Sequence, residues 1–477
     1  MWASAVASRC CKLAIDFMLR HLDHRTTGHT LSLWRLDHVP NVSYVCHMIR
    51  GVESKRQFNK IKSQEPVMAS DHDADRVRRT VLHTMASSGL ALTLGAASRA
   101  WSAQLATLPF QGGERDITSS FPQKKEMLLL RTRPPLLETP FSVFDQGVFT
   151  PNDQFYVRWH LANIPTSIDG ASFRLNVHGQ VRTPLVLSLT DLVTKFAPVR
   201  LAAVNQCSGN SRGLFDARVP GAQWGNGAMG NALWTGVRLR DILDRAVMKR
   251  GAVQVRFNGL ETGILPTTPD FMKSLDVDHA RDGEVMIAYA MNGKPLPLLN
   301  GFPLRLIVPG WYSTYWVKML DNIEVLDQPD DNFWMAKAYL IPDTPHANVM
   351  PGQTDVKMIP INRMVPRSFV TSLTDGQRVP AGKPLVVRGI AFGGDAGVRT
   401  VQISDGANAL WRETRLGHDH GKYSFIQWET RLTPKTGPLT LRVKATNTSG
   451  IAQPDTANWN PAGFMRNVVE SITVTAS

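Results

Sequence analysis

FRLNVHGQVRTPLVLSLTDLVTKF, residues 173–196, changes periodicity along its length. FRLNVHGQV (173–181) alternates apolar and polar positions, the pattern of a half-buried strand. SLTDLVTKF (188–196) has a Ser/Thr start and helical spacing. The same mixture continues on both sides. VRLRDILDRAV (237–247) has helical spacing, and PLRLIVPG (303–310) reads as a buried strand ending in a Pro-Gly turn. Short strands interleaved with short helices over residues 155–325 predict an α+β domain. Residues 104–150, rich in Pro around LLRTRPPLLETP, are expected to be irregular.

From about residue 346 the helical pattern fades. VPAGKPLVVRGIAFGG, VRTVQISDGANALWRET, YSFIQWETRLT, PLTLRVKATNTSG and VVESITVTAS alternate and are separated by Gly, Asn, Asp and Pro. Strands at this spacing predict a β-sandwich of immunoglobulin type. Such a module often serves association, so a homodimer is expected. The chain has 477 residues, enough for two or three domains. Its net charge of +13 raises nucleic acid as a partner. No long Lys/Arg run and no helix-turn-helix or zinc-finger spacing goes with it, so no nucleic-acid role is expected. A basic surface also suits a small anionic substrate or an acidic redox partner.

Residues 75–103, DRVRRTVLHTMASSGLALTLGAASRAWSA, combine the twin arginine Arg78-Arg79, a short apolar stretch and small residues suited to cleavage. That is the layout of a twin-arginine export signal, too short in its apolar part for a stable membrane anchor. Met68 is the expected true start, and residues 1–67 an upstream extension that is not part of the working protein. The expected organisation is therefore an extension (1–67), a signal peptide (68–103), a catalytic domain (104–345) and the sandwich (346–477), in a periplasmic protein with no membrane span when mature. Processing would remove Cys10, Cys11 and Cys46 and leave Cys207 alone. A solitary cysteine in an oxidising compartment is buried and inert, a reactive thiol or a metal ligand.

AAVNQCSGNSRG (202–213) places Cys207 after an apolar run, at the start of a turn, five residues before Arg212. A thiolate beside a cation becomes a better ligand or nucleophile. In FYVRWH (155–160), Arg158 and His160 share one face of a strand with Trp159 opposite, a pairing that suits an oxyanion or phosphate. RLIVPGWYSTYWVK (305–318) leads a strand into an aromatic turn ending in Lys318, and such loops beside Arg and Lys can hold a planar phosphorylated cofactor. FWMAKAYLIPDTP (333–345) supplies Tyr339. Each cluster alone is equally compatible with ordinary packing. No P-loop, Rossmann fingerprint, catalytic serine elbow or haem CxxCH occurs.

Taken together and in order, NQCSGNSRG, FYVRWHLANIP, NALWTGVRLRDIL, FNGLETGILPTTPDF, DGEVMIAYAMNGKPLP, NGFPLRLIVPGWYSTYWVK and FWMAKAYLIPDTP resemble the sulfite oxidase family of molybdopterin enzymes, and most of all its bacterial periplasmic sulfite dehydrogenases. The likeness covers roughly residues 140–477. It implies a molybdopterin-binding domain followed by an immunoglobulin-like dimerisation domain. It implies that Cys207 ligates molybdenum, that Arg158, His160, Arg212 and Tyr339 line the sulfite pocket, and that Tyr156, Val157, Arg158, Trp159, His160, Glu261, Asn300, Arg305, Trp316, Val317 and Lys318 hold the pterin. Glu261 stands where an Asp is usual, and Asn300 where animal members have His. The implied reaction takes sulfite and water to sulfate, with electrons leaving to a separate c-type cytochrome. Rival readings on the same fold are a sulfoxide reductase, a nitrate reductase or a sulfane dehydrogenase. A rival of another class is a secreted β-sandwich binding protein without cofactor.

Overall fold

The computed structural model describes residues 107–110, 113–406 and 410–477; the expected extension and export signal lie outside them. The stretch 173–196 forms strand Arg174–Gly179 and helix Leu189–Lys195. Ser188 caps that helix by accepting from the Asp191 N–H at 3.0 Å, while the Asp191 carboxylate accepts from the Ser188 N–H at 2.9 Å. This reciprocal box satisfies backbone donors that a helix start leaves open. Leu189, Leu192 and Val193 are buried beneath it. The predicted helix at 237–247 begins two residues later, as Leu239–Ala246, because strand Met229–Arg238 runs directly into it.

Three five-stranded sheets build the first region. One sheet orders Met272–Asp276, Gln254–Gly259, Leu320–Leu326, Arg174–Gly179 and Leu185–Ser188. A second orders Lys294–Pro295, Met286–Met291, Met229–Arg238 and Pro198–Gln206, with Arg305–Ile307 pairing on Met286–Met291. Met286–Met291 is buried at every position, as expected for a strand covered on both faces. The third departs from expectation. Thr107–Phe110, Gly113–Thr118, Met127–Arg131, Leu136–Glu138 and Val157–Arg158 form an antiparallel meander through the segment expected to be irregular. Pro134 and Pro135 lie in the turn between MLLLR and LLE, where they interrupt no ladder.

The sandwich follows. One sheet orders Arg367–Val370, Leu385–Phe392, Ile426–Leu432 and Arg415–Leu416, and the other Arg378–Val379, Glu470–Ala476, Gly437–Asn447, Val398–Ser404 and Arg412–Glu413. Trp428, Val387, Val401, Ile403, Leu441 and Val443 fill the space between them. The main apolar core of the first region continues into the sandwich through Phe369, Ile390, Phe392, Tyr423 and Phe425. No helix among the described residues is long and apolar enough to cross a membrane.

One buried charge ties the sandwich to the Cys207 turn. Arg367 is fully buried, pairs with the Glu470 carboxylate at 2.5 Å and donates to Ser211 Oγ at 3.0 Å. Ser211 holds φ +68°, a left-handed conformation that costs a non-glycine residue energy and needs outside support. Removing the guanidinium leaves Glu470 with Arg466 Nη1 alone, at 3.2 Å, and takes a buried donor from both Ser211 Oγ and Asn226 Oδ1. Arg367→Met is therefore expected to lower unfolding free energy by about 3 kcal/mol, read by urea denaturation. A loss under about 1 kcal/mol, the worth of an exposed pair, would show that Ser211 holds its conformation without it.

Candidate active site

Strand Pro198–Gln206 delivers the chain into the Cys207 turn. The Cys207 N–H donates to Ala228 O and its carbonyl accepts from the Asn210 N–H, both at 2.9 Å. The Asn210 side chain in turn accepts from the Ala228 N–H at 3.0 Å. A Cβ at Gly209 would stand 2.6 Å from the Arg212 guanidinium carbon, so the glycine lets that guanidinium lie against the turn. Cys207 is thus fixed by backbone bonds on the wall of a narrow pocket.

Tyr156, Arg158, His160, Cys207, Asn300, Arg305, Lys318 and Tyr339 line this pocket, together with Ser208, Leu299, Ser313 and Thr314. Its wall carries three cations, Arg158, Arg305 and Lys318, and no carboxylate. Burial lowers the pKa of Arg305 to about 10 and of Lys318 to about 8, the latter offset in part by the Glu261 charge. Arg158 Nη1, Arg305 Nε and Ser208 Oγ are buried on this wall with no hydrogen-bond partner in the protein. Buried donors of this kind are ordinarily satisfied. Here they are aimed at a cavity, and the set fits an anionic, phosphorylated group.

Arg158, Cys207 and Tyr339 also face a wider vestibule of about 750 Å³, and Arg212 lies on that side. Arg212 donates through Nε and Nη2 to Ala462 O at 3.1 and 3.0 Å and through Nη1 to Ala222 O at 3.1 Å. The four expected substrate residues therefore meet around one throat. His160 Nε2 lies 2.7 Å from the Tyr339 hydroxyl, and its ring stacks on Phe271 at 3.5 Å between centroids. Burial, then the Arg158 charge, push the His160 pKa well down, so the ring is neutral. Burial raises the Tyr339 pKa, so the phenol keeps its proton.

Five residues expected to touch the cofactor stand behind the wall instead. Trp159 is buried with its face 4.3 Å from Lys318 Nζ and its Nε1–H on Leu299 O. Trp316 lies under the Arg305 guanidinium at 6.0 Å. Val157 pairs with Leu137, and the Val317 carbonyl accepts from the Leu306 N–H. Glu261 accepts from the His160 and Leu161 N–H groups at 2.8 and 2.9 Å and sits 3.6 Å from Lys318 Nζ. Asn300 does line the pocket, but its amide is committed to Lys124 Nζ at 2.5 Å and Tyr156 O at 3.1 Å. Sequence reasoning missed Lys124, which also donates to Asn152 O and Phe155 O and has its pKa lowered to about 7 by burial. It missed Lys273 too, buried 5.4 Å from the Tyr339 ring centroid. Isolated lysines carry no sequence signal of burial.

The sequence signature described as "Oxidoreductase molybdopterin binding domain" matches residues 161–334. Rat mitochondrial sulfite oxidase is 30% identical over 379 residues, covering 75% of this chain and 67% of the rat protein. Sulfite oxidase of Gallus gallus is 31% identical, covering 69% of this chain and 73% of the chicken protein. Nitrate reductase [NAD(P)H] of Hordeum vulgare is 29% identical over 68% of this chain and 39% of its own. The crystal structure of the sulfane dehydrogenase SoxCD from Paracoccus pantotrophus superposes with TM-score 0.63 at 21% identity, over 82% of this chain and 98% of that one, a likeness of fold. The chain spans about two thirds of the length of the mitochondrial relatives.

The matched domain and the curated relatives define a molybdopterin-dependent oxidoreductase. The chain belongs to the sulfite oxidase family, and its cofactor is molybdenum-molybdopterin.

Glu261 offers a test of the wall. Burial alone would raise its pKa, but Lys318, His160 and the backbone N–H groups hold it at about 2 against an ordinary 4.5. A depressed carboxyl stabilises the fold fully above pH 4.5, and that contribution is lost as pH falls toward 2. Glu261→Gln should therefore show a shallower loss of stability across that window in urea titrations. An acid limb parallel to the parent's would place the responsible carboxylate elsewhere.

Proposed function

We propose that this protein oxidises sulfite to sulfate and passes the electrons one at a time to a separate c-type cytochrome. The balance is SO₃²⁻ + H₂O → SO₄²⁻ + 2H⁺ + 2e⁻, so two cytochromes are reduced per turnover. The observation that carries this reading is the convergence of Arg158, Arg212, His160 and Tyr339 on the throat above Cys207. When bound, the molybdopterin group supplies the two-electron redox and oxygen-transfer chemistry.

The protein's share is binding and orientation. The Cys207 thiolate, a soft ligand, would hold the metal. Arg305 and Lys318, backed by Trp316, Trp159 and Glu261, would hold the cofactor's anionic part. Arg158 and Arg212 would bind the sulfite oxygens by charge-assisted hydrogen bonds. The neutral His160 ring anchors the Tyr339 hydroxyl, which keeps its proton. Burial of these groups raises the strength of each interaction over its value in water. Export by the twin-arginine route to the periplasm and association through the sandwich into a homodimer complete the proposal.

The deciding experiment adds sulfite and oxidised cytochrome c to molybdenum-loaded protein. Sulfite-dependent cytochrome reduction is expected. No reduction, with turnover of a sulfoxide and an electron donor instead, would move the protein to a reductase role. Cys207→Ser should stay folded and lose sulfite oxidation; near-parental turnover would remove Cys207 from the metal. Arg212→Gln should cost about 2–4 kcal/mol of transition-state binding, seen chiefly as a higher sulfite KM. An unchanged KM would place Arg212 outside the pocket.

A further inference from the structure

Residues 458–467 belong to the sandwich, yet they reach the throat. Asn460 folds this loop on itself: its Oδ1 accepts from the Phe464 N–H at 3.0 Å and its Nδ2 donates to Phe464 O at 2.9 Å. Asn458 Nδ2 donates to Phe464 O as well, at 3.2 Å. The loop then locks onto the Cys207 turn, because the Met465 N–H donates to Ser208 O at 3.0 Å. Gly463 has φ +60°, and a Cβ there would meet Val219 at 2.4 Å and Arg212 at 2.9 Å. This close approach places Phe464, itself buried, on the vestibule wall.

Phe464 touches two residues of the throat at once. Its ring stacks on Tyr339, with centroids 5.4 Å apart and planes 6° from parallel. The Arg212 guanidinium carbon lies 5.2 Å from the same ring centroid. Arg212 has no carboxylate partner: three of its donors end on carbonyl oxygens, Ala462 and Ala222. An aromatic face steadies a guanidinium without neutralising it, which leaves the charge available to an anion.

We propose that Phe464 is a positioning residue that sets Arg212 and Tyr339 against each other for anion binding. The proposal rests on the sulfite reading for its substrate, but its binding test does not. The ring packs the Tyr339 face while its π-electrons hold Arg212, and both effects require an aromatic side chain. Leucine keeps the apolar bulk and removes the π face; tyrosine keeps both.

The test compares the parent with Phe464→Leu and Phe464→Tyr as molybdenum-loaded proteins. Two readouts are taken: sulfite KM and kcat, and the Kd of sulfate, the non-reacting oxyanion, by calorimetry. Phe464→Leu should raise KM and the sulfate Kd together by roughly five- to tenfold, with kcat and molybdenum content changed less than twofold; Phe464→Tyr should return both to near the parent's. Parental KM and Kd in Phe464→Leu would overturn the proposal. Equal losses in the leucine and tyrosine variants would also overturn it, since they would reflect disrupted packing alone. If the parent does not oxidise sulfite but the leucine variant still binds sulfate more weakly, the sulfite reading fails and the positioning role stands.

Discussion

Buried positive charge governs this structure. Arg158, Arg305 and Lys318 face a cavity with no carboxylate on its wall, and Arg212 adds a fourth cation just outside. Cations out of water are expensive unless something holds them. Carboxylates in the cavity would satisfy them and block an anionic ligand. The chain uses weaker counterparts set behind the wall: indole faces under Lys318 and Arg305, carbonyl oxygens on Arg212, and one carboxylate, Glu261, 3.6 Å from Lys318. Each steadies a charge without placing a carboxylate in the cavity.

That constraint accounts for much of the surrounding architecture. Glu261 also accepts two backbone N–H groups at residues 160 and 161, so the carboxylate that tempers Lys318 fixes the strand end bearing His160. Lys124 does the corresponding work on the other side, tying Asn300 to the backbone before Tyr156. Gly209 lets the Arg212 guanidinium lie against the Cys207 turn, and Ser211 keeps its left-handed backbone with Arg367 of the sandwich bonded to its hydroxyl. Thiol, cations and phenol are thereby positioned from several elements, and none depends on a single loop.

Periodicity made the regular elements legible. Strand Arg174–Gly179, helix Leu189–Lys195 and the alternating sandwich strands follow from apolar spacing and from the Ser188 cap. The hidden strands at Met127–Arg131 and Leu136–Glu138 were obscured because RTRPP draws attention to the turn between them. At the site, the clusters around Cys207, Arg158 and Lys318 stood out as dense local groupings of cations, aromatics and a lone thiol. What stayed illegible is what the tertiary fold alone brings near. Nothing in PQKKEM marks Lys124 as buried, and Phe464 is far from Tyr339 and Arg212 in sequence while it contacts both. Trp159 and Trp316 were placed on the cofactor because strand pairing and side-chain depth set which aromatic reaches the cavity and which supports a cation from behind.

The close seat of Gly463 against Arg212 bears on how this family can be recombined. A chimera that joins this first region to another member's sandwich would import that member's loop along with its sheets, and with it a different vestibule wall. The chain boundary between the domains is a natural place to cut, yet the vestibule straddles it. Modules exchanged there carry binding preference as well as association, and the loop 458–467 is the segment that must travel with the Cys207 turn.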